Sequence, residues 1–177
     1  MLLTHRHGDH IGGAEDLRRE VGARILGPRA DGIGFVDEDL VPGEREILGA
    51  RARIFEVPGH TRHHVAIHLP DAAGTGHLFV GDILFVMGCG RLFEGPPGPF
   101  YEAIRREILP LPDATILYPG HDYAARNLPF ARACDPAIPD EAPPPPMTLG
   151  AEKRRNPFLR APDTATFARL RAERDSF

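Results

Sequence analysis

Cysteine is scarce. Cys89 and Cys134 are the only two in 177 residues, too few for a disulfide framework, and a reducing cytoplasm is the expected setting. No apolar run approaches the ~18 residues of a membrane-spanning helix, and no secretory signal is legible at the start. An excess of one charge is also missing. Lys and Arg number 21 against 25 Asp and Glu, a net charge of -4, which gives no electrostatic case for binding nucleic acid or a membrane surface. The chain does have 42% hydrophobic residues, and its 19.4 kDa suit one domain with a short extension. A chain of this length buries roughly 70% of its unfolded surface and needs no staples to fold. Glycine and proline are plentiful at 19 each, so turns are frequent, and nine histidines are many for this length.

The residue pattern predicts alternating strands and helices. Residues 1–4 read as the end of a strand. Residues 14–21 read as a helix, with Leu17 and Val21 at i, i+4 and Gly22 as its stop. Residues 24–27 form a short strand ended by Pro28, and 31–43 an acidic loop. Strands follow at 52–57, 65–69, 78–80 and 115–118, with a Gly-rich turn at 72–76. Helices are predicted at 100–109 and 123–133, the second interrupted by Pro129. Residues 136–146 contain six prolines, a stiff spacer. Beyond it, 163–174 reads as a helix capped by Asp163, with Phe167 and Leu170 on one face. Tight turns between some strands and helices between others imply mixed sheets covered by helices.

Four segments place His or Asp where a strand stops: His5-Arg6-His7-Gly8-Asp9-His10, Gly59-His60, Gly81-Asp82 and Gly120-His121. His5 and His7, two apart in an extended segment, point the same way and suit one ion. Asp9 and His10 lie past the turn and suit a second. Three His and one Asp within six residues make poor core material and are expensive to bury without a metal. Imidazole nitrogen and carboxylate oxygen are the ligands of Zn, Fe or Mn hydrolytic sites. A lone Pro-Gly-His or Gly-Asp is by contrast usually only a turn.

The order of these segments resembles the metallo-β-lactamase superfamily, from residue 2 to about 123. The resemblance implies an α/β fold, an αβ/βα sandwich of mixed sheets flanked by helices. It implies that His5, His7 and His60 hold a first metal, that Asp9, His10 and His121 hold a second, and that Asp82 bridges them. The implied cofactors are two divalent metal ions sharing a bridging hydroxide, zinc first, with iron or manganese as alternatives. Asp9 and Asp82 are then the catalytic carboxylates. His63, His64, His68 and His77 match no ligand position and read as surface or supporting residues, His64 being close to His60. Cys89 and Cys134 read as packing.

Two further stretches are similar to glyoxalase II, the hydroxyacylglutathione hydrolases: Gly88-Cys89-Gly90-Arg91-Leu92-Phe93-Glu94-Gly95 and, past the spacer, Asn156-Pro157-Phe158-Leu159-Arg160 with the closing Leu170-Arg171-Ala172-Glu173-Arg174. With them the resemblance covers nearly the whole chain. It implies a glutathione clamp of Arg91, Phe93, Tyr123, Arg171 and Arg174, and hydrolysis of S-lactoylglutathione to lactate and glutathione in methylglyoxal detoxification. Guanidinium forks suit the carboxylates of glutathione. Arg171 and Arg174, at i, i+3, share a helix face, although spacing alone equally describes a solvated basic helix end. Phe93 replaces the tyrosine of many relatives and loses a hydroxyl.

The expected division is a catalytic domain at 1–135, a Pro-rich linker at 136–147 and a helical glutathione-binding extension at 148–177. The family carries strands ahead of the His cluster. The chain is therefore read as N-terminally truncated, with an incomplete first sheet, an exposed edge and a first metal site looser than the second. A complete relative is expected to be monomeric. The alternatives are another thioesterase of the superfamily, a single-iron persulfide dioxygenase, or an inactive remnant.

Overall fold

The computed structural model describes residues 1–177. In chain order the elements are α1 (Gly8–Ile11), α2 (Ala14–Val21), β1 (Leu26–Gly27), β2 (Glu38–Asp39), β3 (Gly43–Ile47), β4 (Ala50–Glu56), β5 (Val65–Pro70), β6 (Gly76–Gly81), β7 (Leu84–Phe85), β8 (Gly88–Cys89), α3 (Pro97–Ala103), β9 (Ile116–Pro119), α4 (Ala124–Cys134), β10 (Met147–Thr148), α5 (Leu149–Arg155) and α6 (Thr164–Ser176). Six strands make one sheet in the order β10-β9-β6-β5-β4-β3. Its pairs are antiparallel except β6 with β9, which run parallel, so the sheet is mixed as expected.

Strand alternation sends neighbouring residues to opposite faces. Phe55, Ala66, Leu78, Val80 and Leu117 face α3 and the C-terminal helices, where they join Phe100, Phe158 and Phe167 in a core of 27 buried residues. Ala52, Ile54, Val65 and Ile67 face the other way, onto Leu40, Leu2 and Leu26. The layer on that side is small: Leu2 bridges Leu26 in parallel, and β1 pairs β2. The opening residues do have a strand neighbour on one side, because Leu3 N–H donates to Leu26 O and Leu26 N–H to Met1 O. Leu3 points away from Leu2 and packs with Ile25, Ile33 and Val36 beneath α2.

Some elements depart from the sequence reading. α2 has the predicted bounds and ends at left-handed Gly22, but it packs through Ala14, and Leu17 and Val21 are 45% and 65% exposed. The acidic stretch holds the short β2, and after it comes β3, an unpredicted edge strand whose mostly polar side chains give no hydrophobic alternation. The helix predicted at 100–109 starts at Pro97 and passes into a π turn at Ile104–Ile108. α4 continues through Pro129. Asp163 caps α6, accepting from Thr166 N–H at 2.7 Å.

Candidate metal centre

The strand directions bring the site together. β4, β6 and β9 run the same way, so their C-terminal ends share one edge of the sheet. His60 follows β4, Asp82 follows β6, and His121 follows β9. The same edge receives the first motif, because Val65 N–H, at the start of β5, donates to Thr4 O. Two glycines are required by the close packing. Gly81 has φ of +47°, and a Cβ there would lie 2.5 Å from Thr4 Oγ1. A Cβ on Gly120 would lie 2.5 Å from His10 Cε1 and 2.6 Å from Asp82 Oδ1.

All seven residues expected as ligands converge. His7 Nδ1 lies 3.2 Å from His5 Nε2 and 2.9 Å from His60 Nε2. His121 Nε2 lies 3.2 Å from His10 Nε2 and 3.2 Å from Asp9 Oδ2. Asp82 stands between the two groups, its Oδ2 3.3 Å from His60 Nε2 and its Oδ1 3.3 Å from His10 Nε2. The first group is the better enclosed, with His5 and His60 buried, whereas Asp9 is exposed.

The donors fit a divalent cation. Burial, reinforced by the neighbouring imidazoles His10, His60 and His7, pushes His5 down to about 2, so it is a neutral nitrogen donor. Burial also lowers His60, against the pull of Asp82 and the Arg91 carbonyl. His60 Nδ1–H donates to Arg91 O at 2.9 Å, which leaves its Nε2 lone pair aimed into the cluster, and His5 Nδ1 is held by the Thr4 hydroxyl at 3.1 Å with Nε2 towards His7. Burial opposes ionisation of Asp82, but the His10 contact and the surrounding imidazoles hold its pKa below the ordinary value. Its Oδ1 is buried and receives no well-formed hydrogen bond. A buried carboxylate oxygen without a donor, facing imidazole lone pairs, is what a metal ion satisfies.

His64 is fully buried and supports the cluster directly. Its Nε2 accepts from Asp82 N–H at 3.1 Å, its Nδ1–H donates to Val65 O, and its ring stacks on His5 at 4.4 Å. His63 pairs with Glu56 and His77 with Asp71, while His68 stacks on Phe55. Asp122 accepts from Ala124 N–H and stays out of the centre.

A cavity of about 410 Å³ opens over His7, Asp9, His60, Asp82 and His121, and the five residues expected as the substrate clamp all line it. Phe93 is exposed, its ring centroid 5.3 Å from that of His60 in an edge-on arrangement. Tyr123 stacks on His121 at 5.0 Å. Arg171 is already engaged, donating to Cys89 O at 2.8 Å and to Asp175 at 2.9 Å. Arg91 lies 3.2 Å from the same Asp175 carboxylate. Arg174 contacts only Arg126 O and Asn127 Oδ1, and its pKa is lowered by burial and by Arg171 and Arg91. Arg126, which the sequence reading missed, lies 5.8 Å from the Tyr123 ring and lines the cavity with no carboxylate partner. Of the four guanidinium groups lining this part of the cavity, Arg91 and Arg171 share the Asp175 carboxylate and Arg126 and Arg174 have none, a strong pull on an anion. Cys89 is buried and its thiol is pushed up to about 11 by burial, so it is inert packing as expected. Cys134 is exposed at the end of α4 and does not pack in the core.

The profile of the metallo-beta-lactamase superfamily matches residues 1–121. The chain belongs to this superfamily. Among curated relatives, the hydroxyacylglutathione hydrolase of Pseudomonas syringae pv. syringae (strain B728a) is 39% identical over 210 residues, covering 100% of this chain and 80% of the relative. That of Fuscovulum blasticum is 38% identical over 208 residues with the same coverage. Within the superfamily the chain therefore falls in the hydroxyacylglutathione hydrolase family. The crystal structure of ETHE1 from Myxococcus xanthus superposes with a TM-score of 0.73 at 27% identity, covering 97% of this chain and 67% of that one. As a superfamily member with this donor set, the chain is a metal-dependent hydrolase. No helix is long and apolar enough to cross a membrane.

Proposed function

We propose that the chain hydrolyses S-(2-hydroxyacyl)glutathione, typified by S-lactoylglutathione, to a 2-hydroxy acid and glutathione, the second step of methylglyoxal detoxification in a reducing cytoplasm. One observation carries the reading: a single cavity joins the His/Asp cluster to four arginines, two paired with Asp175 and two with no carboxylate partner. A glutathione thioester needs both ends, with its acyl carbon at the cluster and its carboxylates on the guanidinium groups. Names of relatives at 37–39% identity point the same way.

In this reading His5, His7 and His60 hold one divalent ion, Asp9, His10 and His121 hold another, and Asp82 bridges them. Zinc is the first choice, with iron or manganese compatible with the same donors. Bound there, the ions supply a water acidified toward neutrality and a Lewis acid for the thioester carbonyl. Asp82, its backbone fixed by His64, keeps the two donor groups in register. Phe93 and Tyr123 flank the acyl end. Arg174 on α6 and Arg126 on α4 attract the glutathione carboxylates, and Arg171 and Arg91, through Cys89 O and Asp175, tie α6 to the loop that carries Arg91 and Phe93. The segments take the roles of catalytic domain (1–135), linker (136–147) and substrate-gripping extension (148–177), without a second copy being needed.

The alternative is a single-iron persulfide dioxygenase, which uses fewer of these ligands; the assembled Asp9–His10–His121 group favours the hydrolase. The test is hydrolysis of S-lactoylglutathione by the purified chain loaded with zinc and, separately, with iron(II), with oxygen uptake on glutathione persulfide measured in parallel on the iron(II)-loaded chain. Thioester turnover without oxygen uptake is expected. Oxygen uptake without thioester turnover overturns the proposal.

A further inference from the structure

The metal cradle is assembled from separate loops, and one buried carboxylate outside the donor set ties them together. Asp31 is fully buried. Its Oδ2 accepts from the backbone N–H of Arg6 at 2.8 Å and from the Thr61 hydroxyl at 2.9 Å, and its Oδ1 accepts from His63 N–H at 3.0 Å. Arg6 stands between His5 and His7, and Thr61 follows His60. The Arg6 guanidinium lies 3.7 Å from Asp31 and also pairs with Glu94, in the loop that carries Arg91 and Phe93. Glu94 in turn accepts from Arg62 N–H at 3.0 Å and donates its own N–H to Gly59 O at 3.0 Å.

We infer that Asp31 is the positioning residue of the His5–His7–His60 triad, and that Arg6 and Glu94 extend its hold to the substrate loop. The inference rests on the metal-binding part of the reading above and not on its substrate. His7 and His60 lie 53 residues apart in sequence, yet their ring nitrogens must converge on one ion. Nothing in the strand pairing fixes Arg6 against Thr61 and His63; the Asp31 bonds do. A carboxylate accepting backbone and hydroxyl protons makes charge-assisted bonds, and burial strengthens them. All of its donors belong to the backbone or side chains next to the ligands, so Asp31 sets where the imidazoles start and never competes for the ion.

The test is zinc titration of the full, metal-depleted chain against a coloured chelator, paired with the visible spectrum of the cobalt-loaded chain. In Asp31→Ala one of two zinc equivalents should weaken by about 10- to 100-fold, the range for residues that orient metal ligands. The other equivalent should hold, and the cobalt absorption bands should change. Asp31→Asn, which keeps acceptor oxygen and shape, should lose less. Wild-type affinity for both equivalents with an unchanged cobalt spectrum in Asp31→Ala overturns the inference. If Asp31→Ala does not fold, Thr61→Val decides, since it removes one donor: weakening of the same equivalent supports the assignment and unchanged affinity overturns it. A wild-type chain that takes up no zinc overturns this inference together with the metal reading. One that binds zinc but leaves S-lactoylglutathione intact overturns the substrate reading alone.

Discussion

Asp82 and the arginines carry different loads, and single substitutions separate them. Asp82 is the residue whose two oxygens face both donor groups, so Asp82→Ala should lower metal content and turnover together. Elemental analysis showing a fully metallated, active Asp82→Ala chain would sink the bridging role. Arg174 and Arg126 have no carboxylate partner and in the proposed binding mode hold the glutathione carboxylates and not the acyl carbon, so Arg174→Ala and Arg126→Ala should raise KM and spare kcat. A charged hydrogen bond is worth about 1.5–3 kcal/mol and less where solvent reaches it, so the change should be on the order of tenfold. Arg171 differs because its guanidinium already serves Cys89 O and Asp175. Arg171→Ala should therefore also lower Tm, since the buried Cys89 carbonyl loses its donor at a cost of about 1–3 kcal/mol. Unchanged steady-state KM in the Arg174→Ala, Arg126→Ala double variant would leave those arginines as a solvated rim.

At the scale of elements, α6 is where sequence and packing agree. Phe167 is fully buried, packed against the rings of Phe100, Tyr101 and Phe158, and so joins the extension to the main core. Phe167→Ala should cost about 3–5 kcal/mol, read as a shift of the denaturant midpoint without change in the fold's secondary structure. The cap of the same helix is pH-sensitive. The Thr166 backbone N–H holds the Asp163 carboxyl below its ordinary 3.8. Its stabilisation is therefore complete above pH 3.8 and is lost as pH falls through the lower folded value. Thermal melts of wild type and Asp163→Ala should differ near neutrality and converge in acid; a gap that widens in acid would contradict the sign. The C-terminal helix was legible because its cap and Phe167–Leu170 spacing are local signals. The inward face of α2 was not, because a helix this short meets the small layer only through Ala14.

For the molecule as a whole, the metal cluster couples to stability. Ligands that bind only the folded chain stabilise it, by about 2.7 kcal/mol at a hundredfold excess over Kd. Stripping metal with a chelator should thus lower Tm, and zinc should restore it; a Tm indifferent to both would argue that the cluster holds no ion. The sequence by itself determined the seven candidate ligands, since dense His and Asp beside glycines at strand ends have few other uses, and it determined the mixed α/β pattern through local periodicity. It also singled out the five clamp positions, but only through family resemblance, because spacing alone left Arg171 and Arg174 as an ordinary basic helix end. Tertiary structure decided the rest. Which donors share a partner depends on β4, β6 and β9 ending at one edge, a matter of pairing between distant segments. The burial of His64 against His5 and the brace at Asp31 each arise from contacts between residues far apart in the chain, and no local pattern encodes a contact whose two halves are dozens of residues apart.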